Sequence, residues 1–514
     1  MQVFSLTSFS GGISDYADKG IAGSSRWSSG LNIRSKKDSL HCQQALKQEG
    51  SSSIFKDLIL WFIPAPDNCI YGFGDNGYIY KRTAAGVWSQ VYRVTEASKK
   101  IKGACLGYRY VSANSYQAVL YWCTDTRLHR KPIPGQSVWT AYSSGGDVDA
   151  PDTIGGASQT YPKTNLSSAS WHPMQISQQF VLIGNGNHLA GVSIEDGSYT
   201  TETESVPLPP HLEIQTMVNR GDNEVVLMCN PKNISEQVCL YAASMVSNST
   251  SPGSDTVEIL YRVEMSMKKV QAAIDGENFL MVADDRVWYS NLYNKLPICD
   301  ITPGATCNPG GVAIKDNVVL MAISGATRQS GDTTVAANGI YAYGRNRNAA
   351  SPVLNLEYPM LADELGGMCV KEDLMLVGAR AGTEYRVYAN DPDNKQVGEY
   401  ESLVLSSPYT MFPNRARVDK IVLRSAPIPE GCSVDVYYRL DERGDFKQAQ
   451  FVDTMENQNS LTTFTSGTEA TWNVGENANY IEVKVKLTPS GDETPDIKGV
   501  FIEVSSEQDY ANGY

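Results

Sequence analysis

One pattern constrains this chain more than any other: a short hairpin that recurs. A brief apolar run is followed by a polar or glycine-bearing turn and then by a second brief run rich in Tyr or β-branched residues. Helical periodicity is nearly absent. The paired runs are residues 69–73 with 78–80, 118–122 with 127–129, 180–183 with 188–190, 225–228 with 238–241, 279–282 with 286–289, 318–321 with 340–343, and 374–377 with 385–388. They give seven units across about residues 51–405, spaced by roughly 40–60 residues, which is near the length of a propeller blade. Several units carry a preceding strand of small and apolar residues that ends in an acidic or Asn turn. Examples are Val270-Gln-Ala-Ala-Ile-Asp, Gly311-Val-Ala-Ile-Lys-Asp-Asn and Gly367-Met-Cys-Val-Lys-Glu-Asp. A blade needs a slim innermost strand near the axis and a second strand buried on both faces between its neighbours. The expected fold is all-β: a β-propeller of about seven blades over residues 51–409.

Two segments fall outside the array. Residues 1–50 are polar and turn-rich, with Ser10-Gly-Gly, Gly23-Ser-Ser, Ser28-Ser-Gly and Ser35-Lys-Lys-Asp, and they read as an extended N-terminal arm with no core of its own. Such an arm either adds a strand to a neighbouring subunit or completes a blade of its own propeller. Residues 410–514 read as a C-terminal β-sandwich. The run 417–424 reads as one strand, those at 433–439, 480–487 and 497–504 alternate with period two, and Pro427, Pro429 and Gly431 supply a turn.

Composition narrows the function classes. The 514 residues carry 43 Lys+Arg against 57 Asp+Glu, a formal net charge of −14. That balance disfavours a surface that grips nucleic-acid phosphates. The most apolar stretch, 58–66, is far shorter than the roughly 18 residues of a membrane-spanning helix. The opening MQVFSLTSFSGG has neither a basic n-region nor an apolar h-region, so no secretory signal is expected. Against that background the acceptor patterns at Asn165, Asn233 and Asn248 read as chance. The ten cysteines contain no CxxC pair, and only five His are present. Reduced, buried thiols are expected rather than zinc ligands, with Cys229 and Cys239 placed to face each other across a hairpin.

No catalytic constellation emerges: there is no GxSxG elbow, HExxH, Walker A loop or dinucleotide fingerprint. His172, His188 and His211 are isolated. The carboxylate pairs Asp284-Asp285, Asp363-Glu364 and Glu372-Asp373 sit at turns, where Asp commonly bonds its own backbone. The run Asn390-Asp-Pro-Asp-Asn394 offers oxygens to a cation but lacks the rest of a calcium loop. The turn at Ser193-Ile-Glu-Asp-Gly-Ser-Tyr matches the Asp-box of sialidases only in part. Tyr78, Trp88, Trp139 and Trp288 suit either sugar stacking or packing between blades. No catalytic, cofactor-binding or metal-binding residue and no cofactor is assigned, and an enzyme is not expected.

The layout resembles a known group. Phe9-Ser-Gly-Gly-Ile-Ser, then Ser24-Ser-Arg-Trp and Gly30-Leu-Asn-Ile-Arg, resembles the opening of tail hub or nozzle proteins of tailed phages (tail tubular protein B-like). Lys420-Ile-Val-Leu-Arg, Val434-Asp-Val-Tyr-Tyr-Arg and Ile497-Lys-Gly-Val-Phe-Ile-Glu resemble the β-domain that ends them. Ser35-Lys-Lys-Asp stands where those proteins often have an Asp-Gly turn. The resemblance implies a structural virion protein made in the host cytoplasm. It would form a homo-oligomer, commonly a hexameric ring, contact other tail and neck proteins, and let genomic DNA pass without tight binding or membrane insertion. A host-binding adhesin that uses propeller loops is the competing expectation, with a glycan hydrolase behind it.

Overall fold

The computed structural model describes residues 2–9, 11–13, 27–36, 38–94, 100–112, 115–125, 128–133, 152–153, 166, 168–177, 180–194, 206–221, 224–233, 235–246, 256–276, 278–291, 294–344, 352–406, 416–451 and 462–506. All regular structure among them is β. Each of the seven expected hairpins is present as an antiparallel pair of strands in one register.

Each hairpin supplies the second and third strands of a four-stranded meander. The first meander runs Ile59–Pro64, Ile70–Gly74, Tyr78–Arg82 and Trp88–Arg93. The next four begin at Gly103–Ser112, Met174–Ser177, Leu212–Arg220 and Val270–Gly276. The sixth, from Val312–Lys315 to Val353–Pro359, carries an extra hairpin, Thr327–Ser330 with Thr333–Ala336, between its second and third strands. The first strand of every meander contacts the first strand of the next, and Glu364–Lys371 of the last contacts Ile59–Pro64 of the first. The cycle closes, as in a β-propeller.

Burial explains the sequence grammar. Val318–Ile323 is buried along its whole length, because meanders pack on both of its faces. One apolar cluster fills each gap. Tyr71, Phe73 and Ile79 meet Leu120 and Trp122 between the first two meanders. Ile59, Ile70 and Tyr80 meet Cys369, Leu376 and Val387 across the closing gap. Backbones approach so closely there that a Cβ on Gly366 or Gly367 would collide with the carbonyl oxygens of Ile59 and Leu60. Asp316 and Asn317 both have positive φ, as a two-residue hairpin turn between Lys315 and Val318 requires.

The N-terminal segment corrects the expectation of an arm without a core. Gln44–Glu49 is the fourth strand of the last meander, paired with Glu384–Lys395. This completes the ring, the second of the two roles expected of the segment. Upstream of it, Phe9, Trp27, Ile33 and Leu40 are fully buried in one cluster with Val434, Val483 and Ile502 from the C-terminal segment. Two sheets enclose that cluster. One contains Ile33–Lys36, Ser39–Cys42, Ile497–Ser506, Ala416–Ser425 and Glu469–Ala478, with Gln2–Leu6 added to Ile497–Ser506. The other contains Trp27–Leu31, Gly398–Ser402, Tyr480–Thr488 and Ser433–Leu440. Gly398–Ser402, placed in the propeller by the sequence reading, therefore pairs into this second unit. Leu31 also pairs in parallel with Leu356 of the sixth meander, so one sheet runs from the ring into the second unit.

Candidate functional site

Three places concentrate polar side chains: the closing seam, the joint between the two units, and the axial channel. At the seam, the Glu49 carboxylate accepts hydrogen bonds from Nε and Nη2 of Arg82, each 2.7 Å long, and from Nε1 of Trp88 at 3.0 Å. The bidentate bond to Glu49 raises the Arg82 pKa further. A cavity of about 630 Å³ lies beside the seam, lined by Arg34, Lys47, Lys315 and Lys395 among Asp316, Glu357 and Asp373. Glu357 is buried and accepts a bond from Gln43 Nε2, with Arg34 Nε at 3.8 Å. Burial pushes its pKa up. In its wall Lys315 donates to the Asp373 backbone carbonyl, and Lys47 pairs with Asp391 beside it.

At the joint, the extra hairpin of the sixth meander reaches the second unit. Arg328 contacts Glu401 at 3.2 Å and Glu399 at 3.5 Å, and donates to Ser29 Oγ at 2.9 Å. Lys484 joins the same two carboxylates at 3.3 and 2.9 Å. Ser330 donates to Glu401, Asp332 accepts from the Gly444 amide at 2.7 Å, and Thr333 bonds Asp445. Arg439 bridges Glu482 and Asp332. Ring, N-terminal segment and second unit thus meet in one ion network, with Glu401 almost fully buried at its centre. This network was invisible in the sequence: its members are far apart in the chain, and each looks like an ordinary strand charge.

The channel along the ring axis encloses about 340 Å³. Its wall is drawn from the first strands of the meanders or the residues leading into them. It carries Trp61, Phe62, three methionines (Met174, Met217 and Met368), and amides such as Gln175 and Asn219. Gln175 and Asn219 are engaged, donating to the carbonyls of Met217 and Ile176. Asp275 is the titratable side chain of this wall.

The side chains weighed in the sequence fall mostly into turn and packing roles. Asp284 accepts the amides of Lys268 and Lys269, and Asp363 that of Gly382. Glu364 pairs with Arg380, and Glu372 sits at positive φ in its turn. Asp391 takes Asn394 Nδ2, the Asp393 amide and Lys47, and the Asn394 bond holds its carboxyl below the usual range. Trp88 is buried against Phe55, and Trp288 donates to the Ala283 carbonyl. His172 is buried, and one ring nitrogen lies 2.9 Å from the Gly184 carbonyl. Cys229 and Cys239 do face each other across their hairpin, as free thiols. All ten cysteines are free and buried. Asn165, Asn248, Trp139 and the turn after Ile194 lie outside the described residues. Among the described residues no group of three or more His, Cys, Asp or Glu is placed to hold a metal ion, and no helix is long and apolar enough to cross a membrane.

No family model matches the chain, and no curated protein matches it. Solved structures do. The extracellular domain of a hybrid two-component system from B. thetaiotaomicron is similar at 10% identity and TM-score 0.41, over 74% of this chain and 44% of that one. This chain therefore spans less than half of that protein's length. The WD40 β-propeller domain of Doa1 is similar at 10% identity and TM-score 0.41, over 68% of this chain and 98% of that one. The PQQ-bound aldose sugar dehydrogenase of Streptomyces coelicolor follows at 11% identity and TM-score 0.33, over 68% and 98%. Each of these TM-scores is below 0.5, so the likenesses carry no functional argument, and the ring is established by its own strand pairing.

Proposed function

We propose that this chain is a structural subunit of a phage virion: a tail hub or nozzle protein that assembles into a ring around the conduit for genomic DNA. In this reading the chain is a seven-bladed propeller closed by its N-terminal segment and joined to a β-sandwich built from both chain ends. The observation that carries the reading is the placement of the described strands between Gln2 and Glu49. They build the second unit, cross to the sixth meander and close the ring, so that neither unit is complete without the same N-terminal stretch. Such stitching suits a part that must hold its shape under load, and it accompanies a layout that resembles tail hub proteins from both termini. The net charge of −14 suits a surface that DNA slides past, since each Lys or Arg that neutralised a phosphate would add affinity.

The adhesin alternative has one observation in its favour. Tyr108 and Tyr116, on adjacent strands of the second meander, are each about half exposed, and exposed aromatics are common in ligand-binding surfaces. Proteomics on purified particles tests the main reading. The chain should copurify with intact phage at a stoichiometry of a few copies per particle, and its absence from particles would reject the reading.

A further inference from the structure

We propose that the outer strand of the fourth meander, Thr256–Met265, is a contact between two copies of this chain. The copies pair there edge to edge and antiparallel, about a two-fold axis through Leu260. The free edge of a sheet offers unpaired backbone N–H and C=O groups to another chain, and natural sheets blunt it with short strands, Pro or a covering element. Other meanders of this ring do so. The outer strands of the third and fifth carry Pro207 and Pro297. That of the sixth is paired by Trp27–Leu31, and those of the first and last have six residues each. Thr256–Met265 has ten residues and contains neither Pro nor Lys. It ends its sheet, with no further strand beside it among the described residues.

The sequence of the strand selects a second copy as the occupant. Glu258, Leu260, Arg262 and Glu264 are exposed, whereas Ile259 and Val263 are half-buried and Met265 is buried, so the four share the outward face. Leu260 is 51% exposed. Glu258 lies two residues before it and Arg262 two residues after it. When Leu260 stands opposite Leu260 of an antiparallel copy, each Glu258 therefore stands opposite Arg262 of the other copy. Apolar pairs and opposite charges directly across two strands stabilise a sheet. Glu258 has no ion pair among the described residues, and the ion pair of Arg262 is with Glu264 on its own strand, at 2.5 Å. Pairing with the third strand skips Leu260, since Ile259 faces Ala243 and Tyr261 faces Ala242. Such a bulge can blunt an edge, but the residue carried at this one is apolar rather than charged. A strand of unrelated sequence has no reason to present a base, an apolar residue and an acid at these spacings, and a second copy does so by symmetry. The contact is isologous and closes on two copies, so it does not depend on the virion reading. In a ringed assembly it joins copies from two rings.

One strand pair buries less than the roughly 1,200 Å² of a stable interface, so the test traps the contact covalently in the full chain. Leu260→Cys places two thiols directly opposite each other, with Cα atoms about 5 Å apart and within disulfide reach. Glu264→Cys is the control, because its position is mirrored by Thr256 and the two new thiols lie eight residues apart along the pair, about 27 Å. The ten native cysteines are buried. Under mild oxidation Leu260→Cys should form a disulfide-linked dimer at least tenfold faster than Glu264→Cys. Adding Glu258→Arg to Leu260→Cys sets two bases opposite each other and should slow the trapping, and adding Arg262→Glu as well should restore it. Equal rates for the two cysteine variants would overturn the proposal, whether or not the charge variants fold. So would a doubly charge-reversed chain that stays as slow as the single reversal.

Discussion

Glu49 and Arg82 are joined by two hydrogen bonds of 2.7 Å across the gap between the last meander and the first. Both side chains are largely shielded from solvent. The pair fastens the strand that closes the ring, and Trp88 adds a third bond to the same carboxylate. Glu49→Ala strands a shielded guanidinium and an indole N–H together, and removing one partner of such a pair costs roughly 3–5 kcal/mol. Chemical denaturation should show that loss. Lys81→Ala, whose surface pair with Asp67 spans 3.6 Å, should cost about 1 kcal/mol or less.

Asp57 links stability to pH. Its carboxyl is buried and accepts bonds from Tyr80 Oη at 2.8 Å and from the amides of Asn76 and Tyr78. Burial outweighs those bonds and pushes its pKa up to about 7 from 3.8. Between those values the folded chain keeps a proton that the unfolded chain has released. The contribution of Asp57 is therefore full below about pH 4 and is lost as pH rises through 7, amounting to roughly 4 kcal/mol across the window. Denaturation midpoints of the wild type and Asp57→Asn, compared from pH 4 to 8, should diverge in the variant's favour as pH rises. Parallel curves would contradict this account.

The joint depends on Arg328. Arg328→Ala leaves Glu401 with Lys484 and the Ser330 hydroxyl but removes its ion pair with the extra hairpin. The expected cost is about 2–3 kcal/mol. Amide exchange should rise in Thr327–Ser330 and Gly398–Ser402, and the seam strand Gln44–Glu49 should be unaffected.

The thiols should be silent. Burial raises the Cys42 pKa to about 11 and those of Cys307 and Cys369 to about 12, and thiolate is the reactive form. A thiol reagent should label none of the ten cysteines rapidly in the folded chain and all ten in denaturant. Rapid labelling of Cys229 or Cys239 would show that their hairpin opens.

The sequence made the ring legible because a strand packed on both faces must be apolar throughout. Residues 225–228 and 318–321 could not be mistaken for surface. The N-terminal segment hid its role for the opposite reason. Phe9, Trp27, Ile33 and Leu40 are single apolar residues among Ser, Gly and Lys, each buried by strands from the far end of the chain. Their partners lie hundreds of residues away, so no local period records them. The joint stayed hidden for the same reason, since the link from Arg328 to Ser29 spans 299 positions. The channel wall escaped notice because Trp61, Met217 and Asp275 converge only when the ring closes.

The proposed function requires assembly into a ring of identical subunits around an open axis. Electron microscopy of the purified full chain, alone and mixed with other tail proteins of its particle, tests it most directly. The account predicts closed rings of a fixed number of copies with a central opening wide enough for duplex DNA. Particles that remain monomeric at micromolar concentration under both conditions would contradict it.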